Sequence, residues 1–194
     1  MSDLVFSEVV PYRAPPGALE QLKEFFTNKN VYDLGCGSGD AMTYILFKLK
    51  PKSIKGINHN EKRYRAQKER YNLNIIQGDI KEINFKKEDI DTYYIWIEEP
   101  STEIFVINAL SKLEKKCNIL IGYNIKAFCK ANPESTENYN KECRTCKYLE
   151  CIEGKINEVK TFLQNKNIKF QEKNIEYNEG RNCRQSGTIK FIII

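Results

Sequence analysis

No apolar run in the 194 residues approaches the roughly 20 needed to cross a bilayer. The N-terminus carries no basic stretch leading into an apolar one, so nothing there reads as an export signal. No segment repeats, and no Pro-, Gly- or Ser-rich linker divides the chain, which points to one domain over residues 1–194. Histidine occurs once, as His59, and its position suits a site edge or the surface better than a catalytic base. No Gly-Lys-Ser/Thr triplet follows a glycine-rich turn, which excludes a phosphate-binding P-loop. A Cys-x-x-Cys pair occurs once, at Cys143 and Cys146, where a convincing zinc site would show two.

What is there is ordinary in bulk: 41% hydrophobic residues, 29% charged, net charge +5. A lysine-rich solvated surface is the plain reading of that charge, with RNA or an acidic protein as the partners it would favour. The seven cysteines, odd in number and without an export signal, read as reduced thiols. A cytoplasmic or nuclear protein, not a secreted one, is therefore expected.

Apolar and β-branched runs alternate with helical patterns. Strands are expected at "NVYDLGCG", "SIKGINHN", "LNIIQGD", "IDTYYIWI" and "CNILIGYNI". Helices are expected at "DAMTYILFKLK", "NEKRYRAQKERYN", "STEIFVINALSKLEK" (with a Ser101 or Thr102 cap) and "CIEGKINEVKTFLQNKN". "IKFQEKNIEY" and "GTIKFIII" close the chain as an edge hairpin. This order predicts an α/β fold, a Rossmann-like doubly wound sheet of seven strands, mostly parallel with an antiparallel last strand. The polar stretch 124–148 breaks the rhythm, and long loops of this kind tend to be functional.

The most informative stretch is "VYDLGCGSGD", Val31–Asp40. A dinucleotide fingerprint needs a third glycine where Asp40 stands. Carboxylates at Asp33 and Asp40 would oppose a pyrophosphate and favour a cationic ligand. S-adenosylmethionine, which carries an ammonium and a sulfonium, suits Asp33, Gly35, Cys36, Gly37 and Gly39. Two later strand ends agree with it. Asn58 falls where an acceptor for ribose hydroxyls is expected, and Asp79-Ile80 where an adenine would be met.

These residues resemble the class I S-adenosylmethionine-dependent methyltransferases over nearly the whole chain. "VYDLGCGSGD" matches that family's first motif and "QGDI" its third. "GINHN" departs from the second, having Asn58 for the usual acid, although an amide can still bond a hydroxyl. A finer resemblance lies in "VPYRAPPGALEQLKEFF", similar to the Tyr-x-x-Thr-Pro lead-in of small archaeal and mitochondrial protein-lysine methyltransferases. It implies that a lead-in, residues 1–30, folds over the cofactor with Tyr12, Pro15 and Pro16 as the matching residues. After the fourth strand the chain lacks the Asp/Asn-Pro-Pro-aromatic motif of relatives that methylate nucleic-acid amines. "YIWIEEP" loosely resembles the Tyr-Leu-Leu-Pro of the lysine enzymes instead.

The resemblance thus implies an enzyme that methylates a protein side chain, with lysine favoured and a small molecule or RNA as alternative acceptors. The alternative of another class is a non-catalytic binding protein of the same fold. A lysine acceptor needs an aromatic wall and a carboxylate to take its proton. Tyr94, Trp96 and Glu98 on one strand face supply those types, with Glu99 on the other. Residues 124–148 are expected to form a substrate lid. Cys129, Cys143, Cys146 and Cys151 could pin that lid through zinc, but free thiols are the preferred reading and no metal site is assigned.

Overall fold

A computed structural model describes residues 16–96, 99–127, 144–178 and 186–194. Among these residues, seven strands form one sheet in the order β3-β2-β1-β4-β5-β7-β6. The strands are β1 (Asn30–Leu34), β2 (Ser53–Asn58), β3 (Ile75–Gln77), β4 (Thr92–Trp96), β5 (Asn118–Ala127), β6 (Gln171–Asn178) and β7 (Ser186–Ile193). β1 to β5 pair in parallel, and β7 runs antiparallel to both β5 and β6. The expected fold, with its antiparallel last strand and edge hairpin, is the one observed.

The central strands are largely apolar because both faces are covered, with Asp33 and Thr92 as buried polar exceptions. On one face lie α1 (Pro16–Glu20), α2 (Asp40–Tyr44) with a π-helical turn at Ile45–Leu49, and α3 (Glu61–Tyr71). Their Leu19, Leu22, Met42, Ile45 and Tyr64 bury against Val31, Tyr94, Leu120 and Phe191. On the other face α4 (Pro100–Leu110) packs on α5 (Arg144–Asn165). There Val106, Leu110, Ile156, Val159 and Leu163 cover Tyr32, Tyr93, Ile119 and Ile121. None of the described helices is long and apolar enough to cross a membrane.

Two local expectations change. First, α5 begins at Arg144, seven residues before the expected Cys151, and β5 runs on to Ala127. Both ends of the expected 124–148 lid are thus regular structure, and residues 128–143 lie outside the described set. Second, α4 starts at Pro100 with Glu99 in the capping position and no side-chain cap. Proline's fixed φ suits the first helical position, so the chain needs no Ser101 or Thr102 cap. Of the expected lead-in, the described residues 16–30 pack into the fold, with Ala18, Leu19, Leu22 and Phe26 fully buried in the core. Gln21 also ties α1 to the edge strand through the carbonyl of Glu176 (3.2 Å). Tyr12 and Pro15 lie outside the described residues.

Candidate functional site

β1 has β2 on one side and β4 on the other, so the chain order reverses at the β1–β4 boundary. The loops leaving those two strands diverge there and open a crevice at their carboxyl ends. The loop after β1 turns through Gly35 (φ 79°), Gly37 (φ 59°) and Gly39 (φ 85°). All three are left-handed, a region that side chains resist, so the motif's glycines are set by backbone conformation. The absent Cβ atoms also leave backbone N–H and C=O groups accessible to a ligand.

The loop is held from below. The amides of Gly35 and Cys36 both donate to the carbonyl of Ile57 (3.0 Å each). The amide of Gly39 donates to the carbonyl of Cys36, and the Thr43 hydroxyl to the carbonyl of Gly39 (2.8 Å each). Gly56 on β2 makes room for this packing: a Cβ there would lie 2.3 Å from Met42 Sδ and 3.0 Å from Cys36 Sγ. Cys36 is accordingly a buried packing residue in the loop.

Asp33 is 2% exposed, on the α2 face of the sheet, with Gly56 and Tyr94 as its cross-strand neighbours. Burial, and then the Asp33 charge, hold the Tyr94 hydroxyl well above the usual tyrosine range. Asp40 is also buried, but its Oδ1 accepts from Gln67 Nε2 of α3 (2.7 Å). Its carboxylate therefore joins two helices rather than lining a ligand path. Ser38 adds a buried hydroxyl with no hydrogen bond in the structure. A bound ligand's polar group would satisfy it, since a buried hydroxyl left alone is costly.

Asn58 is buried at the end of β2 and engaged on both sides of its amide. Nδ2 donates to the carbonyl of Gly37 (3.2 Å), and Oδ1 accepts from the backbone N–H of Asn60 (2.8 Å). It holds the glycine loop to the start of α3, a role the expected ribose contact did not foresee. Asp79 is exposed, and its Oδ1 accepts from the Lys81 N–H (2.9 Å) to start the short 3₁₀ turn Ile80–Glu82. Ile80 Cδ1 would be 3.7 Å from a Cβ on Gly35, so its side chain overhangs the loop. Asp33, Gly35, Cys36, Gly37, Gly39, Asn58, Asp79 and Ile80 thus gather at one end of β1, β2 and β3.

The acceptor side is corrected in part. Tyr94 is 2% exposed and packs between Phe26 (6.1 Å) and Phe191 (6.5 Å), so it is core and not a wall of the crevice. Trp96, two residues nearer the strand end, is only partly buried. Its ring lies across Gly122, where a Cβ would come within 2.9 Å of it and 2.7 Å of Phe191. Its indole Nε1 is buried without a hydrogen bond among the described residues. Glu98 lies outside the described residues, and Glu99 is exposed. Ser38 could have been found inside the quoted motif. Gln67 and Gly122 had no local signal, because their importance comes from strands and helices distant in sequence.

Among the described residues no group of His, Cys, Asp or Glu could hold a metal ion, and Cys36 and Cys117 form no disulfide. Cys129 and Cys143 lie outside those residues, as do the side chains of Cys146 and Cys151. A groove at the opposite end of the sheet, lined by Leu110, Cys117, Ile168 and Ile194, is remote from the glycine loop.

This architecture is the Rossmann-like fold of the S-adenosylmethionine-dependent methyltransferases, identified by strand order and by likeness to solved structures. A proposed S-adenosyl-L-methionine-dependent methyltransferase from Methanococcus maripaludis superposes with a TM-score of 0.60 at 15% identity, over 95% of this chain and 84% of that one. A SAM-dependent methyltransferase from Aquifex aeolicus gives 0.55 at 13%, over 92% and 89%. The plantazolicin methyltransferase BpumL, solved in complex with SAH, gives 0.54 at 16%, over 92% and 80%. No protein-family model matches the chain, and no curated protein matches it by sequence.

Proposed function

We propose that the chain is an S-adenosylmethionine-dependent methyltransferase. One observation carries the reading: three left-handed glycines follow a strand with buried Asp33 one residue from its end, at the switch point of this particular sheet. The residues present fit the cofactor. Asp33 offers a desolvated negative charge to a cationic ligand, the glycines offer close backbone, Ser38 a hydroxyl needing a partner, and Ile80 an apolar cover. When bound, S-adenosylmethionine supplies an electrophilic methyl group on a sulfonium. The protein's own part is alignment and exclusion of water, since methyl transfer is an in-line displacement.

For the acceptor we propose a lysine side chain of a protein. Trp96 supports this, because an indole face at the strand end attracts an ammonium before deprotonation. Glu98, expected on the Trp96 face of the strand, is a carboxylate to which the lysine proton can pass.

The test has two stages. Calorimetry with S-adenosylmethionine should show binding that Asp33 substitution removes. Incubation with methyl-labelled cofactor and cell lysate should then place the label in protease-sensitive material. RNase-sensitive label or a labelled small molecule would reassign the acceptor. Tight cofactor binding with no transfer to any acceptor would mark a non-catalytic binding protein.

A further inference from the structure

The positive charge of this molecule is concentrated. Residues 41–74 hold nine lysines and arginines against two glutamates, a net +7, while the whole chain carries +5. The remaining residues therefore sum to −2. One of the nine, Lys55, points to the other sheet face, where it pairs with Glu88 and lies over the Tyr32 ring. Arg65 pairs with Glu61 on its own helix (3.3 Å). Lys48, Lys50, Lys52, Lys62, Arg63, Lys68 and Arg70 are exposed and form no ion pair with a described residue.

Lys62, Arg63, Lys68 and Arg70 lie on α3, and Lys48, Lys50 and Lys52 lie in the π-helical turn after α2 and its connection to β2. Arg63, Gln67 and Arg70 are four and three residues apart on α3 and so share a helical row. Gln67 touches Asp40 of α2, which turns that row along the α2–α3 border. At its far end the rings of Phe47 and Tyr71 meet at 5.7 Å and 63°. The Arg70 guanidinium sits 5.3 Å from the Tyr71 ring centre. Phe47 is 40% exposed, one of two large apolar side chains so exposed among the described residues. It projects from the π-helical turn, and local π geometry often marks functional positions. Lys48 is its neighbour in the chain, and Lys50 and Lys52 follow in the connection to β2. The acids of this border zone are Asp40, buried and bonded to Gln67, and Glu69; Glu61 is occupied by Arg65.

We propose that this face binds single-stranded RNA, with backbone phosphates along the α2–α3 border and a base stacked on Phe47. The charge complements a polyanion, and the arginine forks match phosphate oxygens. An exposed ring backed by a second ring is a stacking platform that an acidic peptide would leave unused. From Lys62 to Tyr71 of the aromatic pair, α3 spans about 14 Å, at about 1.5 Å per residue. Bound RNA would thus lead from the aromatic pair toward the crevice. The inference goes beyond the methyltransferase reading and does not need it: it holds for an RNA acceptor and for a protein acceptor carried on RNA.

The experiment is fluorescence anisotropy of the full chain with a labelled 20-nucleotide single-stranded RNA, without S-adenosylmethionine. Binding should weaken with salt, with a log–log slope of about −0.7 per phosphate neutralised. K48E/K50E/R70E should lose at least tenfold in affinity, and Phe47→Ala should lose several-fold with the salt slope unchanged. Calorimetry with S-adenosylmethionine, unchanged in these variants, confirms an intact fold. A polyglutamate of matched charge should fail to displace the RNA. Absence of wild-type binding, equal binding by the charge-reversal variant, or displacement by polyglutamate as efficient as by unlabelled RNA would each overturn the proposal. None of these outcomes bears on cofactor binding, which the calorimetry measures separately.

Discussion

Asp33 and Asn58 stand within one loop of each other and act by different physics. Asp33 is a desolvated charge, so its value to a cationic ligand is large and its shape is secondary. Asp33→Asn should keep the fold, as judged by an unchanged thermal transition, while weakening S-adenosylmethionine binding by about 2–5 kcal/mol. Calorimetry giving wild-type affinity would remove the carboxylate from the site. Asn58 works as a donor and an acceptor at once. Acids are usual at that position in the family the chain resembles, but the fold here uses both sides of the amide. A carboxylate cannot donate to the Gly37 carbonyl and would face it across 3.2 Å. Asn58→Asp should cost about 1–3 kcal/mol of stability in a denaturant titration. A neutral or stabilising result would show that the amide bond to Gly37 is not made in solution.

At the scale of elements, the sequence was informative where a pattern had a local cause. The glycine loop is legible because each glycine answers to its own φ angle. Strand alternation correctly put Tyr94 and Trp96 on one face, but depth along the strand comes from other elements. Phe26 from the N-terminal segment and Phe191 from β7 close over Tyr94. Those partners are 68 and 97 residues away in the chain, so no local signal announces them. The start of α5 was missed for a related reason: polar and cysteine-containing sequence before Cys151 resembles a loop until the helix is seen to continue through it. Gly122 shows the element scale at work. It lets β4, β5 and β7 bring Trp96 and Phe191 together over one strand. Gly122→Val should cost about 1–3 kcal/mol through overpacking. Trp96 is the sole tryptophan, so intrinsic fluorescence reads this junction directly. The variant should shift the emission of the folded protein, and an unchanged spectrum would mean that the ring does not lie on Gly122.

For the whole molecule, the two ends of the sheet carry different burdens. The carboxyl ends of the parallel strands hold the glycine loop and buried Asp33, arranged for a ligand. The opposite end holds an ion pair that fastens the fold. Asp91 precedes β4 there, and its Oδ2 accepts from the Asn30 N–H (2.9 Å) at the start of β1. That backbone bond, with Lys115 alongside (3.2 Å), holds the Asp91 carboxyl below its ordinary range. Burial works against the shift but does not cancel it. A depressed carboxyl favours folding above its unfolded value, near pH 3.9, and loses that contribution as pH falls through the folded value. Stability should therefore be level in this respect from neutrality to about pH 5 and decline below about pH 4. Asp91→Asn should lower stability at neutral pH and flatten the acid limb. Because Asp91 is far from the crevice, the variant should bind S-adenosylmethionine with wild-type affinity at pH 7. Thermal melts across pH 2.5–7 on both proteins, paired with calorimetry at neutral pH, check the two statements separately. An acid limb of the same steepness in Asp91→Asn would assign acid unfolding to other carboxylates, and weakened cofactor binding would show that the two ends of the sheet are coupled.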